Sequence, residues 1–154
     1  MNAIQIKPAT ISHLQEIDAI GTENYTSQYD ETLASIESKL RAWPTGCWIA
    51  EKGNKLAGYV LSFPYKADSV FPINCNYTWR SSFDVHYIHD LCVSLQFRGT
   101  GVARLLARTA MQNKPKVALT AIEDSIGFWI KLGFKTERHV MYCGKPADYM
   151  VRIE

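Results

Sequence analysis

YIHDLCVSLQFRGTGVARLL, Tyr87 to Leu106, decides the reading of this chain. Its first half is a strand by composition, running on from Phe83 to Val93. Strict alternation puts Val85, Tyr87, His89, Leu91 and Val93 on one face and His86, Ile88, Asp90 and Cys92 on the other. Its second half is a helix expected over Thr100 to Asn113, with Val102, Leu105, Leu106 and Ala110 at helical spacing and Pro115 as the stop. Gly99 and Gly101 stand between the two. The opening turn of a helix offers backbone N–H groups with no internal partner, and the helix dipole favours negative charge there. Glycine lets a phosphate approach the main chain and allows positive φ. Arg98 and Arg104 can add charge to such an anion site. A P-loop is excluded, because Gly-Val-Ala stands where Gly-Lys-Ser/Thr is needed. A dinucleotide fingerprint lacks its third glycine, Arg104 standing there, and this loop lies past mid-chain.

The flanking sequence completes an α/β domain with a mixed sheet, in the order β-α-α-β-β-β-α-β-α-β-β over residues 1–154. Residues 3–7 alternate as a short strand. Ser12 with Gln15 resembles a capping box ahead of Leu14, Ile17 and Ile20, and a second helix is expected from Asp30 to Leu40. Cys47 to Lys52 and Lys55 to Phe63 flank Gly53-Asn54 as a hairpin closed by Pro64. Lys116 to Ala121 reads as a buried strand, and Glu123 to Leu132 as a helix ended by Gly133. Two closing strands are expected around Thr136 to Tyr142 and Tyr149 to Ile153, joined by Gly144 to Pro146. Between Tyr65 and Ser82 no period is visible. The aromatics Tyr65, Phe71, Tyr77 and Trp79 there either cap the core or wall an acceptor site.

A length of 154 residues suits one core, and 47% hydrophobic with 21% charged residues is ordinary for a globular chain. A net charge of +2 without runs of like charge does not suit a nucleic-acid surface. No apolar run reaches the roughly 20 residues of a membrane span. The start MNAIQIKPAT lacks a signal-peptide pattern. Cys47, Cys75, Cys92 and Cys143 are therefore expected as reduced thiols in the cytoplasm, three of them inside strand-like apolar runs. Their spacing forms no metal knuckle.

The wider string Gln96-x-x-Gly99-x-Gly101, after Leu91-Cys92-Val93, resembles the acetyl-CoA-binding motif of the GNAT superfamily of N-acetyltransferases. CWIAEKG from Cys47 is similar to the family's second strand, Gly58-Tyr59-Val60 to its third and YIHDLCV to its fourth. FWIKLGF, Phe128 to Phe134, resembles the helix after its fifth strand, and YCGKPADYMVRI, from Tyr142, the closing hairpin of one branch. The resemblance implies a sheet of about seven strands with about four helices, the fourth and fifth strands splayed. It implies that Leu91, Cys92 and Val93 pair with the pantetheine arm. Around the diphosphate it implies the amides of Arg98, Gly99, Thr100, Gly101, Val102 and Ala103, with Gln96 in the motif and Ser125 and Trp129 flanking the coenzyme.

The implied chemistry is transfer of acetyl from acetyl-CoA to a small-molecule or peptide amine, without metal, by a monomer or homodimer. An alkyl amine of pKa near 10 is about 0.1% neutral at pH 7, a deficit of roughly 4 kcal/mol that a positioned base can offset. His89 is the candidate base, with a core histidine as the alternative. Asp90 is expected to pair structurally, and His86 to lie remote. Many members carry a tyrosine where this chain has Trp129. An indole N–H cannot give up its proton at useful pH, so Tyr142 and Tyr149 become candidates for the acid. A non-catalytic acyl-CoA sensor is the competing reading.

Overall fold

The computed structural model describes residues 3–25, 29–78 and 83–154. One seven-stranded sheet carries the chain, in the order β1-β2-β3-β4-β5-β7-β6. Its strands are β1 (Ile4–Pro8), β2 (Cys47–Lys52), β3 (Lys55–Tyr65), β4 (Val85–Val93), β5 (Lys116–Ile122), β6 (Lys135–Tyr142) and β7 (Lys145–Ile153). All neighbours run antiparallel except β4 and β5. Helices α1 (Leu14–Asn24) and α2 (Leu33–Ala42) cover one face, burying Ile17, Ile20, Ile36 and Leu40 against Ile49, Tyr59 and Leu61. Helices α3 (Val102–Met111) and α4 (Ile126–Lys131) cover the other, burying Leu106, Ala110 and Trp129 against Val60, Ile88, Val117 and Met150.

The expected element order holds, and the differences lie at ends. Thr10, not Ser12, opens the first helical segment, its N–H donating to His13 Nδ1 at 3.0 Å. Thr32 caps α2, its hydroxyl accepting from the Ser35 amide at 3.2 Å. Asp30 and Glu31 therefore precede that helix instead of starting it. Pro64 does not close the hairpin. It pairs in β3 opposite His86, beyond the point where β2 ends at Cys47 opposite Leu61. A missing N–H is tolerated where no strand lies alongside to receive it. β7 begins at Lys145, earlier than expected, and the Cys143-Gly144 corner has positive φ at both residues. All four cysteines are free, but only Cys47 and Cys92 lie within strands.

Two irregularities shape the middle of the sheet. The parallel pairing of β4 with β5 covers only His86, Ile88 and the residue between them, opposite Val117 to Leu119. Beyond that the two strands part, as expected. Across β4, Leu61 pairs with Asp90 while Ser62 pairs with Ile88, which leaves His89 as the extra residue of a β-bulge. The bulge overturns the strict alternation expected for this strand. Asp90 and Cys92 move to the α1/α2 face, where Asp90 meets Tyr59. Leu91 and Val93 move to the α3/α4 face beside Ile88. His89 and Asp90 thus point to the same side of the sheet.

Of the loop aromatics, Phe71 and Tyr77 are buried against Phe63, with ring centroids 4.9 and 4.1 Å away, and cap the core. Trp79 lies outside the described residues.

Candidate active site

Where β4 and β5 part, two hollows meet. The outer one, about 780 Å³, is floored by Leu91, Cys92 and Val93 and closed at one end by Arg98, Gly99, Gly101, Val102 and Ala103. The inner one, about 160 Å³, is lined by Tyr25, Glu31, Ile73, His89, Asp90 and Tyr142. Tyr25, Tyr29, Leu91, Ile122, Ser125 and Trp129 border both.

The outer end is built from backbone. Gly99 and Gly101 take φ of 76° and 87°, and Gly101 is the N-cap of α3. A Cβ added at either glycine would meet no protein atom within 4 Å, so both open onto free space. A side chain there would fill the cradle, and positive φ would strain it. The first-turn amides of α3 have no helical acceptor and can hold an anion. Arg98 and Arg104 border the same hollow, and Arg98 also donates to the Asn24 side-chain carbonyl. Gln96 and Thr100 are not among the lining residues. The Thr100 hydroxyl donates instead to the Phe97 carbonyl, and Gln96 is exposed on the 3-10 turn before the loop.

The inner end is built from side chains. His89 Nε2 contacts Glu31 Oε1, a partner absent from the sequence reading. Glu31 Oε2 accepts from the Ser35 hydroxyl and from Lys39 Nζ, the latter at 3.3 Å. Burial alone would raise the Glu31 carboxyl. The hydrogen bonds from His89 and Ser35, with the charges of His89 and Lys39, outweigh it and hold the group at about 2. An ionised Glu31 requires His89 Nε2 to carry hydrogen, which leaves Nδ1 as the acceptor of a neutral imidazole. Nδ1 has no hydrogen-bond partner among the described residues, on a side chain that lines the hollow.

Asp90 plays a different part. It accepts from Tyr25 Oη at 2.8 Å and from Tyr59 Oη at 2.7 Å, and burial raises its carboxyl. The tyrosine hydroxyls tie α1 and β3 to β4. His86 is remote, bonded to the Ser62 hydroxyl at 2.8 Å and lowered to about 4, mainly by burial. Tyr142 reaches the inner hollow and stacks on Tyr29 at 6.2 Å, its hydroxyl pushed up by burial. Tyr149 borders neither hollow. It is fully buried, and its hydroxyl accepts the Asp68 amide at 2.8 Å, so its candidacy as an acid is withdrawn. Trp129 is buried edge-on between Phe128 and Phe134, and Ser125 donates to the Ile122 carbonyl at 2.8 Å. Glu31, Lys39 and Tyr25 were missed in sequence because they lie 50 or more residues from His89 and carry no local pattern.

Comparisons with known proteins agree with this architecture. No curated protein matches the chain in sequence. Among solved structures, Ard1 from Thermoplasma volcanium is similar with a TM-score of 0.78 at 20% identity, over 98% of this chain and 97% of that one. Naa50 from Arabidopsis thaliana, bound to the bisubstrate analogue CoA-Ac-MVNAL, gives 0.67 at 16% identity over 98% and 99%. GphF, a GNAT-like decarboxylase in complex with isobutyryl-CoA, gives 0.84 at 12% identity over 97% and 98%. At these identities the likeness is one of fold. The model of the acetyltransferase (GNAT) family matches residues 11–134, and on that match the chain belongs to this family.

Proposed function

We propose that the chain is an N-acetyltransferase moving acetyl from acetyl-CoA to a primary amine by direct attack within a ternary complex. One observation carries the reading: a helix end with free first-turn amides and a carboxylate-oriented imidazole face two hollows that share one wall. Acetyl-CoA, when bound, supplies the thioester carbonyl that an amine attacks and the thiolate that leaves.

The remaining work falls to this chain. Amides of residues 98–103 hold the diphosphate, while the edge of Leu91, Cys92 and Val93 that β5 leaves uncovered holds the pantetheine arm as one more strand would. His89 Nδ1 takes the proton from the amine, and Glu31 stabilises the resulting imidazolium through Nε2–H. Tyr25 stands on the shared wall, with its one hydroxyl hydrogen given to Asp90. Burial and the neighbouring Asp90 push that hydroxyl well up, so it keeps its proton and braces the wall through Asp90. With Trp129 in place of tyrosine, the leaving thiolate takes its proton from water. Solved neighbours bound to CoA derivatives support the coenzyme, and four free thiols support a reducing, cytoplasmic setting.

The test is release of coenzyme A thiol from acetyl-CoA over a panel of small and peptide amines. Turnover with at least one amine is expected. Saturable binding without turnover for any acceptor would favour the sensor reading, for which Trp129 at the usual tyrosine position is the argument.

A further inference from the structure

Lys39 is the feature this mechanism leaves unused. Its side chain is fully buried, a position lysine occupies rarely and at high desolvation cost. Three acceptors surround the ammonium: Glu31 Oε2 at 3.3 Å, the Ser35 carbonyl at 3.1 Å and the Cys75 carbonyl at 3.0 Å. The Phe71 ring lies 5.3 Å away on a further side. Every proton of the group therefore has an acceptor. The two oxygens of Glu31 divide their duties: Oε2 takes Lys39 and Ser35, and Oε1 is left for His89.

We propose that Lys39 is a positioning residue: it neutralises Glu31 and pins it, so that the carboxylate orients the His89 ring without holding a proton on it. As a positioning role for catalysis, this rests on the acetyl-transfer reading above. The charge argument is direct. With Lys39 present, Glu31 and Lys39 form a neutral pair, and His89 can remain neutral beside it. Without Lys39, the buried carboxylate has only His89 to balance it, and the proton stays on the imidazole. A protonated ring has no acceptor at Nδ1 and cannot serve as a base.

The other groups facing the cluster do not supply this balance. Across the inner hollow Asp90 is satisfied by two tyrosine hydroxyls, and Tyr25 and Tyr142 are pushed up by burial. Tyr87 flanks the His89 ring on β4, with its hydroxyl pushed up to about 12. Behind Lys39 are the thiols of Cys47 and Cys75, with burial raising Cys47 to about 12. Cys143 faces Glu31 from the β6–β7 corner, its thiol raised by burial. Lys39 is the only cation besides His89 in contact with Glu31 among the described residues.

The experiment is an NMR titration of the His89 imidazole, assigned with His89→Gln, in the wild-type chain and in Lys39→Met. Wild type is expected to show the tautomer with hydrogen on Nε2. Lys39→Met is expected to raise the His89 midpoint by about one pH unit or more, a tenfold shift in the proton equilibrium. The acid limb of kcat/KM should move upward by the same amount, with KM for acetyl-CoA unchanged and Lys39→Arg restoring the wild-type profile. A folded Lys39→Met with an unmoved midpoint overturns the proposal. So does the Nδ1–H tautomer in wild type, a result that needs no variant to fold. If no amine is acetylated by the wild type, the acetyl-transfer reading falls, while the titration still decides the charge relation.

Discussion

The two ends of the site are made of different material. At the outer end the groups on offer to a ligand are main-chain amides at the head of α3, and side chains matter chiefly by their absence at Gly99 and Gly101. At the inner end the working groups are side chains from three distant segments, with Glu31, Lys39 and His89 joined in one buried cluster. A backbone site is specified by local spacing and survives most substitutions nearby. A side-chain cluster depends on each member, because a buried charge that loses its partner is costly.

Predictions that would break or sharpen this contrast run from large to small. His89→Ala should lower kcat by about 100-fold or more with a near-normal Kd for acetyl-CoA, since general acid–base groups contribute about 10²–10⁴-fold. A loss below about tenfold would return His89 to a packing role. Gly101→Asp should weaken acetyl-CoA about 100-fold by calorimetry, because juxtaposed like charges cost several kcal/mol and the new side chain fills the cradle. Unchanged affinity there would remove the helix end from the coenzyme site. Tyr25→Phe should lower stability by about 1–3 kcal/mol while coenzyme affinity holds, the cost of leaving the buried Asp90 carboxyl short of a donor. An unchanged melting temperature with a lowered kcat would instead place the hydroxyl in the chemistry. Gln96→Ala, outside the lining, should change acetyl-CoA affinity by less than about threefold. A larger effect would show that the motif residue reaches further than the lining suggests.

This contrast also explains what could be read in the sequence. Gly99 and Gly101 between a strand and a helix announce their chemistry within a few residues, and the loop lies where that spacing puts it. The element order followed from period and punctuation. The inner end was half legible. His89 stood out by residue type, but Glu31 looked like the first turn of a helix until Thr32 took the cap. Lys39 drew no reading at all, because nothing local signals that Cys75 and Phe71 will close over it. Alternation along β4 gave the wrong faces beyond His89, since one bulged residue reverses every later position and leaves no mark in composition. Tyr149 looked like an acid candidate by chemistry alone, and only the packing of the loop at Asp68 against it disqualifies it.

The bulged residue has a consequence for tinkering with this protein. The strand behaves as two lengths of thread spliced half a stitch out of step, with His89 as the splice. Removing a single residue at that point would bring the lengths back into step. Asp90 would stay opposite Leu61 and Ile88 opposite Ser62, so Asp90 keeps Tyr25 and Tyr59, and Leu91 and Val93 keep their side of the sheet. Deleting His89 would therefore take out the imidazole alone and leave the tyrosine-bound carboxyl and the floor of the outer hollow seated, whereas deleting a paired residue further along β4 would turn its neighbours over.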